Sequence, residues 1–291
     1  RALMSEPAPG STSFGAFFKV LVAKHTLEGM AGRTLAHWVM FLLTKKALGL
    51  DDRVVVQRLV RVVAGMYLTY GGVSGLMMEP SARKDPIKPP LSARVHKYTS
   101  HGLGYVMADA FEIVWAQILG EAPAQNDILV HHLVPVPVLC GVLSRPKTAL
   151  GSGILYAAMS TECLAVLSGA LFLLRSLGQR GVIKERPTIC WLLELGRFAT
   201  IAGIRLPLWF WEAHHLWRNT APGRNRGPSD VGTLDGKAEA ARWSVQARLK
   251  RLSRGGNWGL AMWLAVIMPM DAYWLSIMAG NLRQGPDFKP H

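Results

Sequence analysis

Long apolar stretches, separated by short polar segments, constrain the fold of this chain more than any other feature of its sequence. Seven of them cover residues 34–50, 54–78, 101–119, 127–143, 149–177, 189–217 and 257–281. A helix needs about 20 apolar residues to cross the hydrocarbon layer, so the last three are long enough, whereas the first and fourth must tilt or lie inside a bundle. We therefore predict an all-α fold, a polytopic transmembrane helical bundle of about seven spans.

Composition excludes several other classes of protein. Hydrophobic residues make up 50% of the 291 residues and charged residues only 18%, which is too apolar for a disordered chain. The three cysteines, Cys140, Cys163 and Cys190, all lie in apolar stretches, so a disulfide scaffold is not expected. The 33 Lys and Arg residues outnumber the 19 Asp and Glu residues, but they fall between apolar stretches, so we expect no nucleic-acid partner.

The distribution of basic residues predicts the orientation of the chain in the membrane. With seven spans, the segments on the N-terminal side hold 20 Lys and Arg residues, and those on the opposite side hold 11. Because the cytosol-like side of a membrane carries the excess of basic residues, the N-terminus is expected on the cytosolic or matrix side.

Four parts of the chain differ in composition. Residues 1–33 place phenylalanines and lysines at helical spacing, which predicts an amphipathic helix in the membrane interface or on a partner protein. Residues 34–217 form the main transmembrane domain. Residues 218–256 are expected to form a basic loop and helix on anionic headgroups or an acidic partner, and residues 257–291 the last transmembrane helix and a tail.

Ionisable residues inside the apolar stretches are candidate functional groups, because charges at membrane depth are costly. They are Asp109, Glu112, Glu162, Glu194, Arg197, Arg205 and Asp271. Internal pairing is the alternative interpretation. Glu194 and Arg197 are three residues apart and can neutralise each other on one helix, whereas Asp109 and Glu112 could share Arg205.

His131 and His132 form the sharpest single feature. Neighbouring residues on a regular helix point about 100° apart, but Pro135 removes the donor that would bond the carbonyl of His131 and therefore predicts a kink. A neutral histidine beside Asp109 could act as a general base. A buried histidine pair bonded to backbone carbonyls is the alternative. We expect no metal, because His residues at three- or four-residue spacing are missing from the sequence.

Four segments between residues 54 and 217 follow one another in an order typical of a known family. They are RLVRVVAGMYLTY with the later Asp85-Pro86, LSARVHKYTSHGLGYVMADAFEIV with Gly104, Tyr105 and Asp109, NDILVHH with His131 and His132, and ILYAAMSTECLAVLSGALFLLR with Ser160, Thr161 and Arg175. In this order they resemble the TLC-domain family, the membrane fold of ceramide synthases and of relatives of the translocating-chain-associated protein. The resemblance implies a six-helix core around a central cavity open to lipid.

The chain departs from the ceramide synthases after the His pair. Where those enzymes carry a His-Asp and a further Asp, this sequence has Leu155, Tyr156, Ser160 and Thr161. The resemblance is therefore to the branch without ceramide-synthase activity, whose members are linked to membrane lipid composition more than to a defined reaction.

If the ceramide-synthase mechanism did carry over, the resemblance implies roles for a few residues. His131 and His132 would activate an acyl-CoA thioester for transfer to an amine, and Asp109 would orient them. Glu162 could replace the missing second group if its side chain faces the cavity.

Three functions are compatible with these observations. The favoured one is a non-catalytic TLC-domain protein that binds or organises lipid, as an accessory subunit of a mitochondrial inner-membrane complex. A lipid acyltransferase that uses His131 and His132 and a lipid transporter are the alternatives, and the endoplasmic reticulum is the alternative location. No cofactor is expected, but bound phospholipid and other membrane-protein subunits are. The expected lipid-binding or structural polar residues are Glu112, Ser160, Thr161, Glu162, Glu194, Arg197 and Arg205.

Overall fold

The computed structural model describes residues 14–49, 52–84, 91–120, 125–144, 151–184, 186–219 and 258–286. Several sequence-based predictions lie outside these residues. They concern the first part of the N-terminal segment, the Asp85-Pro86 loop, nearly all of the basic segment 218–256 and the end of the tail.

The described residues are mostly helical, with short turns between the helices, and include no strand. The helices are α1 (Phe14–Leu21), α2 (Lys24–Leu48), α3 (Arg53–Met78), α4 (Pro80–Lys84), α5 (Ala93–Ile118), α6 (Asn126–Leu133), α7 (Pro135–Ser144), α8 (Ser152–Ser160), α9 (Cys163–Gln179), α10 (Pro187–Thr200), α11 (Leu206–Asn219) and α12 (Trp258–Arg283). A π-helical segment, Ile201–Arg205, joins α10 to α11. The predicted all-α bundle is confirmed.

Four helical stretches are long and apolar enough to cross a membrane. They are Arg53–Met78, Asn126–Ser144, Ser152–Gln179 and Ala261–Arg283. The chain is therefore a helical membrane protein. The other three predicted spans lie in α2, α5 and the α10–α11 pair, which carry more charged residues, so the number of seven stays a prediction.

Two of the predicted spans are interrupted by breaks in their helices. The predicted kink at Pro135 is confirmed, since α6 ends at Leu133 and α7 begins at the proline. The predicted fifth span is divided between α8 and α9 by a turn at Thr161 and Glu162. Side chains on either side of such a turn can point in directions that a continuous helix does not allow.

The N-terminal segment was predicted to form one amphipathic helix, but it contains parts of two helices. α1 ends at Leu21 and α2 begins at Lys24, and α2 continues past residue 33, where the transmembrane domain was expected to start. Val20 of α1 is buried with Leu103 and Cys140. α1 therefore packs against α5 and α7 of the same chain. Its segment was expected to lie on the membrane or on a partner protein.

Glycines set the distance between α2 and α5, which pack along each other. A Cβ on Gly29 would overlap the carbonyl oxygen of His101, and a Cβ on Gly104 would overlap the carbonyl oxygen of Thr26. The two backbones are thus in direct contact. This close packing brings polar side chains of α2 within reach of α5, and those side chains build the sites described next.

Candidate functional site

Five charged or titratable side chains meet where α2, α3, α5 and α6 converge, and we call them the ion-pair core: Arg33, Arg61, Asp109, Glu112 and His132. Arg33 Nη2 donates to Asp109 Oδ1 at 2.7 Å and its Nη1 contacts the Glu112 carboxylate. Arg61 Nε donates to Asp109 Oδ2 at 3.0 Å, and His132 Nδ1 lies 3.0 Å from the same oxygen. Arg33 and Arg61 thus contact the two carboxylates, and Arg53 Nε lies farther away, 3.9 Å from Glu112 Oε1.

Two amide side chains extend the ion-pair core. Gln57 Nε2 donates to Glu112 Oε1 at 3.2 Å, and Gln125 Nε2 donates to Gln57 Oε1 at 3.2 Å. Arg61 Nη1 donates to Gln125 Oε1 at 2.9 Å and so joins both amides to the charges. Buried charges that are paired and hydrogen-bonded in this way avoid most of the penalty of leaving water.

The prediction that Asp109 and Glu112 share Arg205 is wrong. Arg205 Nε donates to Asp271 Oδ2 at 3.1 Å, and Trp209 Nε1 donates to the same oxygen at 3.0 Å. The π-helical segment that ends at Arg205 lies against α12, which carries Asp271. The cation that Asp109 and Glu112 do share is Arg33 of α2, which packs along α5.

The predicted pair of Glu194 and Arg197 is confirmed. Arg197 Nη1 donates to Glu194 Oε2 at 2.5 Å, and Asn281 Nδ2 of α12 donates to the other carboxylate oxygen at 2.6 Å. Glu194 is therefore satisfied on both oxygens within the bundle.

A cavity of about 520 Å³, here called the central cavity, lies beside the ion-pair core and is enclosed by α3, α5 to α11 and α12. Its wall is mainly apolar, with Leu155, Trp209, Trp263 and Trp274 among the lining residues. Its polar lining residues include Arg58, Arg61, Tyr105, Asp127, His131, His132, Thr161, Glu162, Arg197 and Arg205. The cavity is amphipathic, as a site for an amphipathic ligand must be.

The two adjacent histidines both line the central cavity, but their environments differ. His132 has Asp109 behind it, whereas the His131 ring packs edge-on to Trp274 at a centroid distance of 5.5 Å. His131 Nδ1 is buried and has no hydrogen-bond partner among the described residues. Of the predicted pair, His132 is thus the member that contacts Asp109, which is fully buried behind the wall.

Arg58 is the least satisfied cation of the central cavity. Its guanidinium lies over the Phe172 ring, 5.1 Å from the centroid, and in the described part of the chain it has neither a hydrogen bond nor an ion pair. Asp127 is near enough to attract it electrostatically without a salt bridge. Arg61 and Arg197 line the same cavity, but each of them is paired with a carboxylate.

The α8–α9 turn contributes two polar residues, Thr161 and Glu162, to the lining of the cavity. The Ser160 and Thr161 hydroxyls donate to carbonyls three residues earlier, at 2.7 Å each. Tyr156 donates to Glu79 at 2.7 Å and does not line the cavity. Of the residues considered there, Glu162 is the ionisable group that reaches the cavity wall.

A second, more open groove of about 1000 Å³ lies on the opposite side of the ion-pair core, between α2, α3 and α5. Arg33, Glu112 and His37 line it together with the exposed aromatic residues Trp38 and Phe111. The ion-pair core therefore separates two pockets, and His132 and Arg61 face one while Glu112 and Arg33 face the other.

Sequence reasoning missed a cluster of His25, Glu28 and His101. Glu28 Oε2 lies 2.8 Å from His25 Nδ1 and 3.1 Å from His101 Nε2. Hydrogen bonds from the two histidines lower the pKa of Glu28 to about 2. The three-residue spacing of His25 and Glu28 was a visible signal, but His101 comes from α5 and only the α2–α5 contact brings it near.

Comparison with models of protein families, with characterised proteins and with solved structures finds nothing that matches this chain. The resemblance to TLC-domain proteins therefore rests on the motifs quoted above, and membership of that family stays a prediction.

Proposed function

We propose that this membrane protein binds a lipid with an anionic headgroup in the central cavity, and that it serves as a non-catalytic, lipid-organising subunit. Arg58 carries the proposal. It is a cation on a membrane-spanning helix, it faces an amphipathic cavity, and within the described residues it has no anionic partner in contact.

The energetics of buried charge support a ligand at Arg58. The buried Nε of Arg58 has no hydrogen-bond partner among the described residues, and a charge inside a helical bundle is costly unless it is paired. Arg61, Arg197 and Arg205 are each paired with a carboxylate, so the cost at those positions is already offset inside the chain. A lipid phosphate would supply Arg58 with charge-assisted hydrogen bonds, and its bidentate geometry suits a guanidinium.

The size and lining of the cavity support the same ligand class. A volume of about 520 Å³ lies inside the range of roughly 300–1,000 Å³ that is usual for small-molecule sites. The buried Nδ1 of His131 is a second polar atom that a headgroup could satisfy. The tryptophans and leucines of the wall suit acyl chains.

The wider setting of this function comes from the sequence. The TLC-domain resemblance supports a role in membrane lipid composition, and the net charge of +14 supports a mitochondrial inner-membrane protein among other subunits. The endoplasmic reticulum is the alternative location. Identifying the proteins that purify with the chain from native membrane tests both the compartment and the partners.

Lipid retention by purified protein tests the proposal directly. We expect wild-type protein in mild detergent to retain an anionic phospholipid, detected by native mass spectrometry. Arg58→Gln should bind that lipid about 10- to 100-fold more weakly, because a hydrogen bond to a charged group is worth about 1.5–3 kcal/mol. Arg83→Gln, on the exposed face of α4, is the matched control and should retain the lipid. Equal retention by all three proteins would rule out the Arg58 site.

A lipid acyltransferase is the second candidate, and one arrangement favours it. His132 is held by Asp109 at 3.0 Å, and Glu162 lies on the wall of the same cavity. His132 could take the proton of an attacking amine while Glu162 supplies the second proton-transfer group.

An acyl-CoA transfer assay distinguishes the two functions. We expect turnover by the wild type to be no higher than that of His132→Ala or Glu162→Gln. Robust turnover that both substitutions abolish would replace the lipid-binding proposal with the enzyme.

A further inference from the structure

His25, Glu28 and His101 lie outside both pockets and no role proposed above uses them. His25 and Glu28 occupy the first turns of α2, and His101 projects from α5 towards them. We propose that these three side chains bind one divalent transition-metal ion, for which zinc has the best match of ligands.

The donor atoms are spaced for a single ion. His25 Nδ1, Glu28 Oε2 and His101 Nε2 belong to a group whose ligand atoms all lie within 4.8 Å of one another. Ligand atoms around a tetrahedral Zn²⁺ at about 2.0–2.1 Å stand about 3.3 Å apart. The distances from Glu28 Oε2 to the two nitrogens, 2.8 and 3.1 Å, need to open by only a few tenths of an ångström.

The types of ligand favour zinc over calcium and magnesium. Two imidazole nitrogens and one carboxylate oxygen form the set found in zinc sites that keep an open position. Calcium and magnesium prefer sites made of oxygen atoms alone. A fourth position would therefore be filled by water, and the partial exposure of the cluster leaves room for it, since the Glu28 and His25 side chains are 41% and 38% exposed.

A hydrogen bond outside the cluster orients one of the ligands. Tyr67 Oη lies 2.6 Å from His101 Nδ1, the ring nitrogen that faces away from Glu28. When Nδ1–H donates to the Tyr67 hydroxyl, the lone pair of Nε2 is free to bind a metal. Metal-binding histidines almost always have such a partner on their second nitrogen.

The backbone holds the cluster in place. Gly29 follows Glu28 directly and lets α2 touch the backbone of His101. A ligand set on two helices in backbone contact is more precise than one on loops. Among the described residues, Lys24 is the one lysine or arginine paired with the cluster, and its Nζ lies 3.8 Å from Glu28 Oε1. Because the Lys24 side chain is 82% exposed, it can turn away when a metal ion binds.

The test is metal binding by the full chain in detergent, after chelator treatment and dialysis. Zn²⁺ is titrated in competition with a chromogenic chelator, and Co²⁺ is used as a spectroscopic probe. We expect one Zn²⁺ per chain and the intense visible absorption of tetrahedral Co²⁺. Glu28→Gln and His101→Ala should each weaken binding by at least about tenfold, and Tyr67→Phe by about 10- to 100-fold, the usual effect of losing such a partner.

The controls separate this site from adventitious binding and from unfolding. His214→Ala removes an exposed histidine of α11 and should leave the affinity unchanged. Glu28→Gln is a conservative change of an exposed side chain, so it reports on binding even if His101→Ala does not fold. The proposal is overturned if Glu28→Gln binds Zn²⁺ as tightly as wild type, or if the wild type shows no tetrahedral Co²⁺ spectrum.

Discussion

The ion-pair core and the central cavity both place charges inside the bundle, and they differ in whether the chain satisfies those charges by itself. In the core, both oxygens of Asp109 accept hydrogen bonds from arginines, and Glu112 is bound by Arg33 and an amide. In the cavity, Arg58 and the Nδ1 of His131 lack partners among the described residues. Each carboxylate of the core is thus bound by arginines of the chain itself, whereas Arg58 of the cavity has no carboxylate in contact among the described residues.

Backbone geometry accounts for the difference. The ion-pair core lies where α2 packs along α5, so that charged side chains of the two helices reach one another directly. The cavity is bordered by helix breaks, since Pro135, Glu162 and Arg205 all line it. Irregular backbone at membrane depth is tolerated where it lines a cavity, because polar groups there can find partners other than lipid tails.

The largest effect on stability is expected from a substitution that removes a carboxylate of the ion-pair core. Asp109→Ala leaves Arg33 and Arg61 buried without their shared carboxylate, and removing one partner of a buried pair costs about 3–5 kcal/mol. We expect the free energy of unfolding in detergent, measured by denaturant titration, to fall by that amount. Asp127→Ala, on the cavity wall and without a salt bridge in the described part of the chain, should lower it by less than about 1 kcal/mol. If Asp109→Ala lowered the free energy of unfolding by no more than Asp127→Ala does, the ion-pair core would not stabilise the fold.

A smaller effect tests whether close helix packing builds the core. Gly104→Ala places a methyl group against the carbonyl oxygen of Thr26, and overpacking of this kind costs about 1–3 kcal/mol. The matched control is Gly32→Ala on α2, where a Cβ meets no atom within 4 Å and alanine should stabilise the helix by about 0.5–1 kcal/mol. Thermal unfolding of the two variants should shift in opposite directions. A shift of the same sign would mean that the α2–α5 contact is looser than described.

The smallest expected effect on stability comes from a substitution in the central cavity. Arg58→Met in lipid-free protein should lower the free energy of unfolding by less than about 1 kcal/mol, because the stacking on Phe172 and the attraction to Asp127 are lost while an unpaired charge is also removed. Denaturant titration beside Asp109→Ala measures the contrast. A loss as large as that of Asp109→Ala would show that Arg58 has a structural partner and would weaken its role as a lipid site.

Some of the site could be predicted because it depends on neighbours along the chain. Glu194 and Arg197 lie one helical turn apart, so their pairing follows from helix geometry. The break at Pro135 follows from the missing backbone donor. The partner of Asp109 could not be found in this way. Several arginines are available in the sequence, and the choice of Arg33 over Arg205 depends on which helix packs along α5.

The sequence by itself determined that this chain is a helical membrane protein, since runs of apolar residues can satisfy their backbone in lipid only as helices. It also identified several of the ionisable residues inside the bundle, such as Asp109 and Glu194, but not the buried Arg33 and Arg61. Tertiary structure alone decided which of them neutralise one another, because pairing between helices depends on contacts of a few ångströms. A glycine such as Gly104 creates such a contact, and apolar periodicity carries no information about its partner. For the same reason, the cluster of His25, Glu28 and His101 exists only in the folded chain.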